Sequence, residues 1–186
     1  MKTVLCAGAI VLCLLTGCEK DPFNRLPNAT QKGKNTAGFL LEGEAWLPEG
    51  KFLTSTRNPV SGFWRKTPRG SSLGLSFLQV NSAKARFSGV DIYLVGIRQP
   101  GTYSLQQEPD INLGERRQGY ASFFISQPAP SIQYYTGPTA PGTVTITRLD
   151  TINRIASGTF DLTLLEDGGT RTVRITKGRF DVRLAD

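Results

Sequence analysis

The chain has 186 residues, a formal net charge of +7, 20 Gly, 11 Pro, three Cys and no His. Such a length is enough for one domain with its own core, for which about 150 residues suffice. The absence of His excludes Ser-His-Asp catalysis, Cys-His catalysis and His-ligated metal sites. It also leaves no side chain whose unperturbed pKa lies near neutrality.

The first 18 residues have the organisation of a bacterial export signal. Lys2 precedes a twelve-residue apolar run from Val4 to Leu15, which is too short to cross a bilayer core because that requires about 20 residues. The run has the proportions of a secretory signal. The sequence Leu15-Thr16-Gly17-Cys18 that ends it resembles the lipobox of bacterial lipoproteins.

The lipobox resemblance implies a lipidation site at Cys18. Residues 1–17 would be removed as a signal peptide, the Cys18 thiol would receive diacylglycerol, and the new amine would receive an acyl chain such as palmitate. These chains make a firm anchor, because each buried methylene contributes about 0.8 kcal/mol. We therefore expect a protein anchored by lipid in the cell outer membrane, and the sequence leaves open whether it faces the periplasm or the cell surface.

Cysteine usage agrees with this interpretation. Cys6 and Cys13 fall in the predicted signal peptide and Cys18 would carry the lipid, so the mature chain is expected to have no disulfide and no thiolate metal site. Removal of Lys2 leaves 21 basic and 15 acidic side chains, a modest positive excess. We predict no cofactor and no bound metal.

Residues 18–36 contain Pro, Asn, Gln, Lys and Gly but few apolar residues. This composition predicts a flexible tether behind the lipidated Cys18, partly ordered where it meets the domain. As a coil, the tether would hold the domain about 25 Å from the membrane. The predicted organisation is therefore a signal peptide at 1–17, a tether at 18–36 and a single antiparallel β domain at 37–186.

From residue 37 onward the hydrophobic pattern is that of strands. Apolar residues alternate with polar or small ones, as in the run Val90–Leu94, where Asp91 and Tyr93 intervene. One apolar and one polar face is typical of an antiparallel sheet with a single buried side. Because Asp161 and Asp181 alternate with inward apolar residues, we expect both carboxylates to face solvent. Further runs of this kind are Leu73–Phe77, Ala121–Ile125, Val144–Ile146, Phe160–Leu164, Val173–Ile175 and Phe180–Leu184.

Turn residues separate these runs. Glu42-Gly43 and Asp167-Gly168-Gly169 predict tight hairpins, and Pro100-Gly101 and Pro141-Gly142 predict the starts of further strands. The parity of the inward residues also changes shortly before Phe180. This change predicts a turn or a bulge at Lys177-Gly178, with the glycine at positive φ.

The fold class predicted from these patterns is all-β. About eight to ten strands fit into the domain, which indicates an antiparallel sandwich or a small closed barrel. The alternation alone does not distinguish the two.

Six segments at the two ends of the mature chain share a recognisable family pattern. They are Leu26–Gln31, Asn35–Gly38, Glu42–Trp46, Val144–Asp150, Ser157–Phe160 and Val173–Asp181. Together they resemble a family of uncharacterised bacterial outer-membrane lipoproteins, with Asn28 where that family has Pro and Phe39 where it often has Cys. The resemblance implies an exported, lipid-anchored β domain, and it brings no catalytic residues with it.

Catalytic motifs are weak in this chain. The run Gly70–Gly74 matches the G-x-S-x-G pattern, but that motif needs a His base and a strand-to-helix turn, so we interpret it as the start of a strand. Paired carboxylates are the other option for a chain without His. Acidic side chains on the polar face are expected to pair with arginines across strands instead. We predict no catalytic residues and a protein that is not an enzyme.

Two stretches combine the features of a ligand-binding surface. Residues 57–69 are predicted to form a basic, aromatic loop that stacks on a ligand and pairs with its charges. Its candidate residues are Trp64, Arg65, Lys66 and Arg69. Tyr134 and Tyr135 form a second aromatic candidate. The simpler alternative for both is that the aromatic rings fold onto the core.

The sequence thus predicts a lipid-anchored cell-envelope protein whose β domain has a binding or structural role. The expected partners are the membrane, through the anchor, and a glycan, a lipid or an envelope protein, whereas nucleic acid is not expected. One alternative is a lipocalin-like carrier of an apolar ligand inside a barrel. Another is a carboxylate-dependent hydrolase, which requires two acids about 5 to 10 Å apart in one cleft.

Overall fold

The structure is a computed structural model that describes residues 21–185 apart from 51–57, 68–69, 82–85, 110–118 and 128. The described residues form one antiparallel sheet of eleven strands, preceded by a 3-10 helix at Pro22–Arg25. The strands are β1 (Thr36–Leu41), β2 (Glu44–Trp46), β3 (Val60–Thr67), β4 (Gly70–Asn81), β5 (Arg86–Val95), β6 (Gly101–Leu105), β7 (Tyr120–Gln127), β8 (Ile132–Tyr135), β9 (Gly142–Asp150), β10 (Ile155–Glu166) and β11 (Thr172–Arg183). The predicted all-β class is confirmed.

The sheet is curled into a half-barrel. Its strand order is β2-β1-β11-β10-β8-β7-β5-β4-β3, and β9 pairs with β10 on one side and with β6 on the other. The curl brings the β3–β4 edge towards the opposite end of the sheet, where two isolated parallel bridges join Glu49 to Gln79 and Phe63 to Ala185. The backbone N–H of Ala185 donates to the Gly62 carbonyl at 2.8 Å.

The hairpins expected from the turn residues are present. β1 and β2 are joined by Glu42 and Gly43, whose φ angles are 50° and 88°, as a tight two-residue hairpin turn requires. The turn at Asp167–Gly169 joins β10 to β11, with Gly168 at φ 66°. Gly101 and Gly142 begin β6 and β9, as predicted.

Aromatic side chains fill the interior of the half-barrel. Phe39, Phe77, Phe123 and Phe160 are all almost fully buried. The ring of Phe160 lies 5.8 Å from that of Phe39 and 5.9 Å from that of Phe77, measured between centroids. Phe39 also stacks on Trp46 at 4.4 Å. Burial on this scale dominates the stability of a small β domain, since truncation of one such Phe to Ala costs about 3 to 5 kcal/mol.

The predicted irregularity at Lys177-Gly178 is a β-bulge. The register between β10 and β11 shifts between Phe160 and Leu162, opposite this point. The positive φ falls on Lys177, at 55°, and not on the glycine, so the predicted position of the left-handed residue is wrong by one. Gly178 is required for a different reason, because a Cβ there would lie 2.5 Å from the Phe160 ring.

The segment before β1 lies against the outer side of β10 and β11, where the sequence predicted a flexible tether. Leu26 is buried, and the Arg179 guanidinium donates to the Pro27 carbonyl at 3.1 Å. The Asn35 side chain accepts from the backbone N–H of Arg183 at 2.7 Å. These contacts make the described part of the predicted tether a packed cover on the sheet.

The expectation that Asp181 faces solvent is wrong, whereas Asp161 is exposed as predicted. Asp181 does point away from the aromatic core, because its neighbours Phe180 and Val182 belong to that core. Residues 30–34 cover it from outside, however, and leave 1 % of its surface exposed. Alternation along a strand identifies the face of a side chain, but it gives no information about a distant segment that covers that face.

Candidate functional site

A row of aromatic residues crosses the outer face of the sheet, on the side opposite the core. The residues Phe63, Gly74, Tyr93 and Tyr120 lie directly opposite one another on β3, β4, β5 and β7. Their strand neighbours Leu73, Leu75, Ile92, Leu94 and Ala121 belong to the core, so the members of the row point outwards. Phe63, Tyr93 and Tyr120 are each partly exposed. We call these three side chains the aromatic row.

Gly74 brings the rings of the aromatic row together. Phe63 and Tyr93 lie two strand spacings apart, which is about 9.6 Å, yet their ring centroids are 6.4 Å apart. The Phe63 ring leans across β4 into the space above Gly74, where a Cβ would overlap it. Tyr93 and Tyr120 follow at 6.0 Å. The result is an almost unbroken aromatic strip over three strand spacings, or about 14 Å.

A polar row runs beside the aromatic row, two residues along each strand. Its members are Ser61, Ser76, Asp91, Ser122 and Tyr135, each directly opposite the next on β3, β4, β5, β7 and β8. Asp91 lies in the middle of this polar row and is partly exposed. Within the described part of the chain its carboxylate has no hydrogen bond or ion pair with another residue. Ser122 is buried, so the accessible polar groups beside the aromatic rings are those of Ser61, Ser76, Asp91 and Tyr135.

The two ends of this surface are defined by Arg65 and Tyr135. The Arg65 guanidinium lies 5.5 Å from the Phe63 ring centroid, within the range of a cation–π contact. At the other end, the Tyr135 hydroxyl donates to the Gln133 side chain at 3.1 Å. Burial raises the pKa of Tyr135, and the nearby Asp167 and Tyr120 raise it further, so this hydroxyl stays protonated and remains a hydrogen-bond donor.

The predicted basic, aromatic loop is largely a strand. Residues 60–67 form β3, at the end of the sheet order, so the prediction of a loop there is wrong. Trp64 packs against the core, and its buried Nε1–H has no hydrogen-bond partner. Arg65 and Lys66 are exposed, whereas Arg69 lies outside the described residues.

The second predicted pair is divided between the two faces of the sheet. Tyr134 is buried in the core and Tyr135 belongs to the polar row. The structure therefore assigns Arg65 and Tyr135 to one surface and directs Trp64 and Tyr134 inwards. Cys18, the predicted lipidation site, lies outside the described residues.

Sequence reasoning missed Phe63, Tyr93, Tyr120 and Asp91 as site residues. A signal for two of them was available, because the alternation in β5 already assigned Asp91 and Tyr93 to the polar face. A Tyr or Phe on an otherwise polar face is the pattern that could have found them. That they form one row with Phe63 and Tyr120 depends on strand register, which alternation within single strands does not give.

A second surface feature is a groove of about 590 Å³ beside the N-terminal segment. It lies between the 3-10 helix and the outer side of β10 and β11. Its lining residues are Phe23, Ala29, Thr159, Asp161, Lys177, Gly178 and Arg179. The aromatic row and this groove are on different strands of the sheet.

Among the residues that the structure describes, the carboxyl groups with shifted pKa values are all shifted downwards. Hydrogen bonds from the backbone and side chain of Asn153, and then from Arg148, lower the pKa of Asp150. Hydrogen bonds from Arg171 lower that of Glu166. A general acid in a hydrolase needs a raised pKa, so neither carboxyl is suited to that role.

Asp181 is held as a carboxylate as well. Burial by itself would raise its pKa, but hydrogen bonds from Thr30, Lys32, Ser157 and Gly33 outweigh burial and lower the pKa to about 2. Its oxygens are already occupied by these donors. Asp181 is therefore placed to hold the N-terminal segment and not to react with a substrate.

Comparison with known proteins adds no assignment. No family model, curated protein or solved structure matches the chain, so the resemblance to uncharacterised outer-membrane lipoproteins stays a prediction. Across the described residues, none of the helical structure is long and apolar enough to cross a membrane. The same residues contain no group of three or more Cys, Asp or Glu placed to hold a metal ion.

Proposed function

We propose that this chain is a lipid-anchored protein of the bacterial outer membrane whose β domain binds a saccharide chain on the aromatic and polar rows. The observation that carries the proposal is the alignment of Phe63, Tyr93 and Tyr120 in one outward row. Lipidation at Cys18 rests on the lipobox alone. The proposal of a binding surface rests on the register of the strands and on the distances between the aromatic ring centroids.

Saccharides fit this surface because they present two kinds of contact. The C–H faces of a sugar ring are apolar and pack on aromatic rings, which offer large contact areas at low cost in side-chain entropy. Sugar hydroxyl groups at the ring edges need hydrogen-bonding partners. The Ser61 and Ser76 hydroxyls and the Asp91 carboxylate of the polar row supply donors and acceptors at the edge of the aromatic strip.

Charge favours a neutral or mildly acidic saccharide. Arg65 stands at one end of the aromatic row and Asp91 in the middle of the polar row, so the surface has no single dominant sign. Peptidoglycan fragments and envelope polysaccharides match this requirement. A highly charged polyanion would be repelled by Asp91.

The two alternatives have less support. A carrier needs an empty interior, whereas Phe39, Phe77 and Phe160 occupy the centre of the half-barrel. A hydrolase needs a pair of acids with different pKa values, whereas the shifted carboxyls Asp150, Glu166 and Asp181 all have lowered pKa values. Binding on the outer face needs neither feature.

Thermal unfolding in the presence of saccharides tests the proposal. A soluble chain beginning at residue 19 would be heated with peptidoglycan fragments, neutral oligosaccharides, acidic glycans and fatty acids. A ligand at 100 times its Kd stabilises the fold by about 2.7 kcal/mol, which raises the Tm of a domain of this size by about 5 to 10 °C. We expect this shift with at least one saccharide and none with fatty acids.

The variant Tyr93→Ala separates the surface from the rest of the domain. It removes the middle ring of the aromatic row and should abolish the saccharide-dependent shift. Tyr103→Ala is the matched control, because Tyr103 is also partly buried but lies on β6, away from the aromatic row. A shift with fatty acids alone, or one that survives in Tyr93→Ala, would refute the proposed site.

A further inference from the structure

The groove beside the N-terminal segment combines opposite charges with an exposed aromatic ring. Lys177 and Arg179 on β11 line it together with Asp161 and Thr159 on β10, and Phe23 forms the other wall. Thr159 lies directly opposite Arg179 in the sheet. Phe23 is 41 % exposed, so its ring is accessible from the groove.

The contacts of the charged groups leave their ligand-binding atoms accessible. Arg179 places its guanidinium 4.6 Å from the Phe23 ring centroid and donates one hydrogen bond, to the Pro27 carbonyl. A guanidinium has five N–H donors, so others remain for a ligand. Asp161 accepts from the backbone N–H of Lys177 through Oδ1 at 2.9 Å, which fixes the carboxylate at the groove and leaves Oδ2 for a cation.

The position of the groove along the chain places it beside the membrane. Phe23 follows Cys18 by five residues, and a fully extended chain of that length spans at most about 18 Å. The residues after Phe23 are packed on β1 and β11, because Leu26 and Pro27 lie over Gly38 and the Pro27 carbonyl accepts from Arg179. If Cys18 carries lipid in the bilayer, the domain is thus held with the groove side close to the headgroups.

We propose that this groove binds the headgroup of a membrane phospholipid that carries both a phosphate and a primary amine. Lys177 and Arg179 contact the phosphate, Asp161 accepts from the ammonium, and Phe23 lies against the glycerol and upper acyl region. The groove is suited to a zwitterion because two cations and one carboxylate line it together. This inference rests on the lipid anchor of the proposed function, and it adds a second contact with the membrane.

Docking by the groove determines which way the aromatic row points. In the sheet order, β8 and β7 separate β5 from β10. In the other direction, β4 and β3 separate β5 from the end of β11, which the bridge from Phe63 to Ala185 joins to β3. Tyr93 and Asp91 on β5 are therefore on the far side of the half-barrel from the groove. A domain docked through the groove therefore presents the middle of its saccharide-binding surface, around Tyr93 and Asp91, away from the membrane.

Site-specific fluorescence quenching of the mature, lipidated chain tests the inference. The predicted mature chain has no cysteine other than Cys18, so one new cysteine can be labelled selectively. Asn28→Cys, close to the groove, and Gln133→Cys, on β8, are both exposed positions. The labelled proteins would be reconstituted in vesicles of phosphatidylethanolamine and phosphatidylglycerol that contain a lipid with a nitroxide on its headgroup.

We expect strong quenching at position 28 and little at position 133. The mass of the N-terminal peptide is measured on the same sample. This measurement distinguishes a missing lipid anchor from a lipidated protein that does not dock through the groove. An unmodified Cys18 would overturn the lipid anchor and this inference with it. A lipidated Cys18 with equal quenching at both positions, or with stronger quenching at 133, would overturn this inference alone.

Charge variants test the chemistry of the groove. Lys177→Gln should weaken docking to the vesicles about fivefold, which is the effect of one cation at a membrane surface. The matched control is Lys66→Gln, because Lys66 is an exposed cation on β3, and this variant should leave docking unchanged. Asp161→Asn keeps an acceptor for the Lys177 N–H but removes the charge. It should abolish the preference for phosphatidylethanolamine over phosphatidylglycerol vesicles, and an unchanged preference would refute recognition of the amine.

Discussion

The hydroxyl of Thr30 donates a hydrogen bond of 2.5 Å to Oδ2 of Asp181, which lies 151 residues later in the chain. The same carboxylate accepts from the backbone N–H groups of Lys32, Gly33 and Lys34 and from the Ser157 hydroxyl. Hydrogen bonds to a buried charge are stronger than those between neutral groups. One side chain on the last strand thus fixes the segment that leads to the predicted anchor.

Replacement of Asp181 by Asn should destabilise the domain by about 2 to 4 kcal/mol. The amide keeps one acceptor oxygen but directs an NH2 group towards donors that then lose their partner. Urea unfolding measures the loss. Asp167→Asn is the control, because Asp167 is exposed in the β10–β11 turn and its replacement should cost less than about 0.5 kcal/mol. Equal effects of the two substitutions would contradict the role assigned to Asp181.

The stability of the domain should fall in acid through Asp181. Its pKa is lowered from 3.8 to about 2 in the folded state, so the folded state favours the carboxylate more than the unfolded chain does. The stabilisation is complete above the unfolded pKa, near pH 4, and it is lost as pH falls towards 2. Urea unfolding at a series of pH values should show the gap between the wild type and Asp181→Asn narrowing in this range. If the difference in unfolding free energy between the two proteins stays constant from pH 5 to pH 2, Asp181 is not the cause of the loss of stability in acid.

Gly74→Ala should disturb the aromatic row. The new methyl group would overlap the Phe63 ring, which must then leave its position above β4. We expect a loss of about 1 to 3 kcal/mol in stability and weaker saccharide binding. The matched control is Gly101→Ala, because a Cβ at Gly101 would meet its nearest neighbour at an ordinary 3.8 Å. Full binding by Gly74→Ala would show that the position of Phe63 is unimportant.

Substitutions at two adjacent positions of the β10–β11 bulge should change the stability of the domain by different amounts. Lys177 has φ 55°, so Lys177→Gly removes a side chain from a left-handed conformation and should change stability by less than about 1 kcal/mol. Gly178→Ala should instead cost about 1 to 3 kcal/mol, because its Cβ would meet the Phe160 ring. Thermal unfolding of the two variants distinguishes a bulge with positive φ at Lys177 from one with positive φ at Gly178.

Much of the fold follows from local sequence signals. The alternation in runs such as Val90–Leu94 correctly assigns the core face, and Glu42-Gly43 correctly predicts a hairpin, since both signals act between neighbours along the chain. The burial of Asp181 could not be predicted in this way. It depends on residues 30–34, which are distant in sequence and cover the outer face of β11.

The candidate site was predicted only in part for the same reason. In the run Phe63-Trp64-Arg65 both aromatic residues are plausible surface groups, and only pairing with β4 shows that Phe63 points outwards and Trp64 inwards. Tyr134 and Tyr135 are likewise distinguished by pairing with Phe123 and Ser122. Parity within a strand fixes the relative faces of neighbours, whereas register across strands decides which outward residues form one surface.

The most direct test of the central claim is to map saccharide contacts by NMR. Amide chemical shifts of the soluble chain would be followed during titration with a peptidoglycan disaccharide fragment and with a neutral oligosaccharide. The proposed saccharide-binding surface predicts that the largest changes cluster at Ser61, Ser76, Asp91, Tyr93 and Tyr120. Changes confined to core positions around Phe77 and Phe160, or no change with any saccharide, would contradict it.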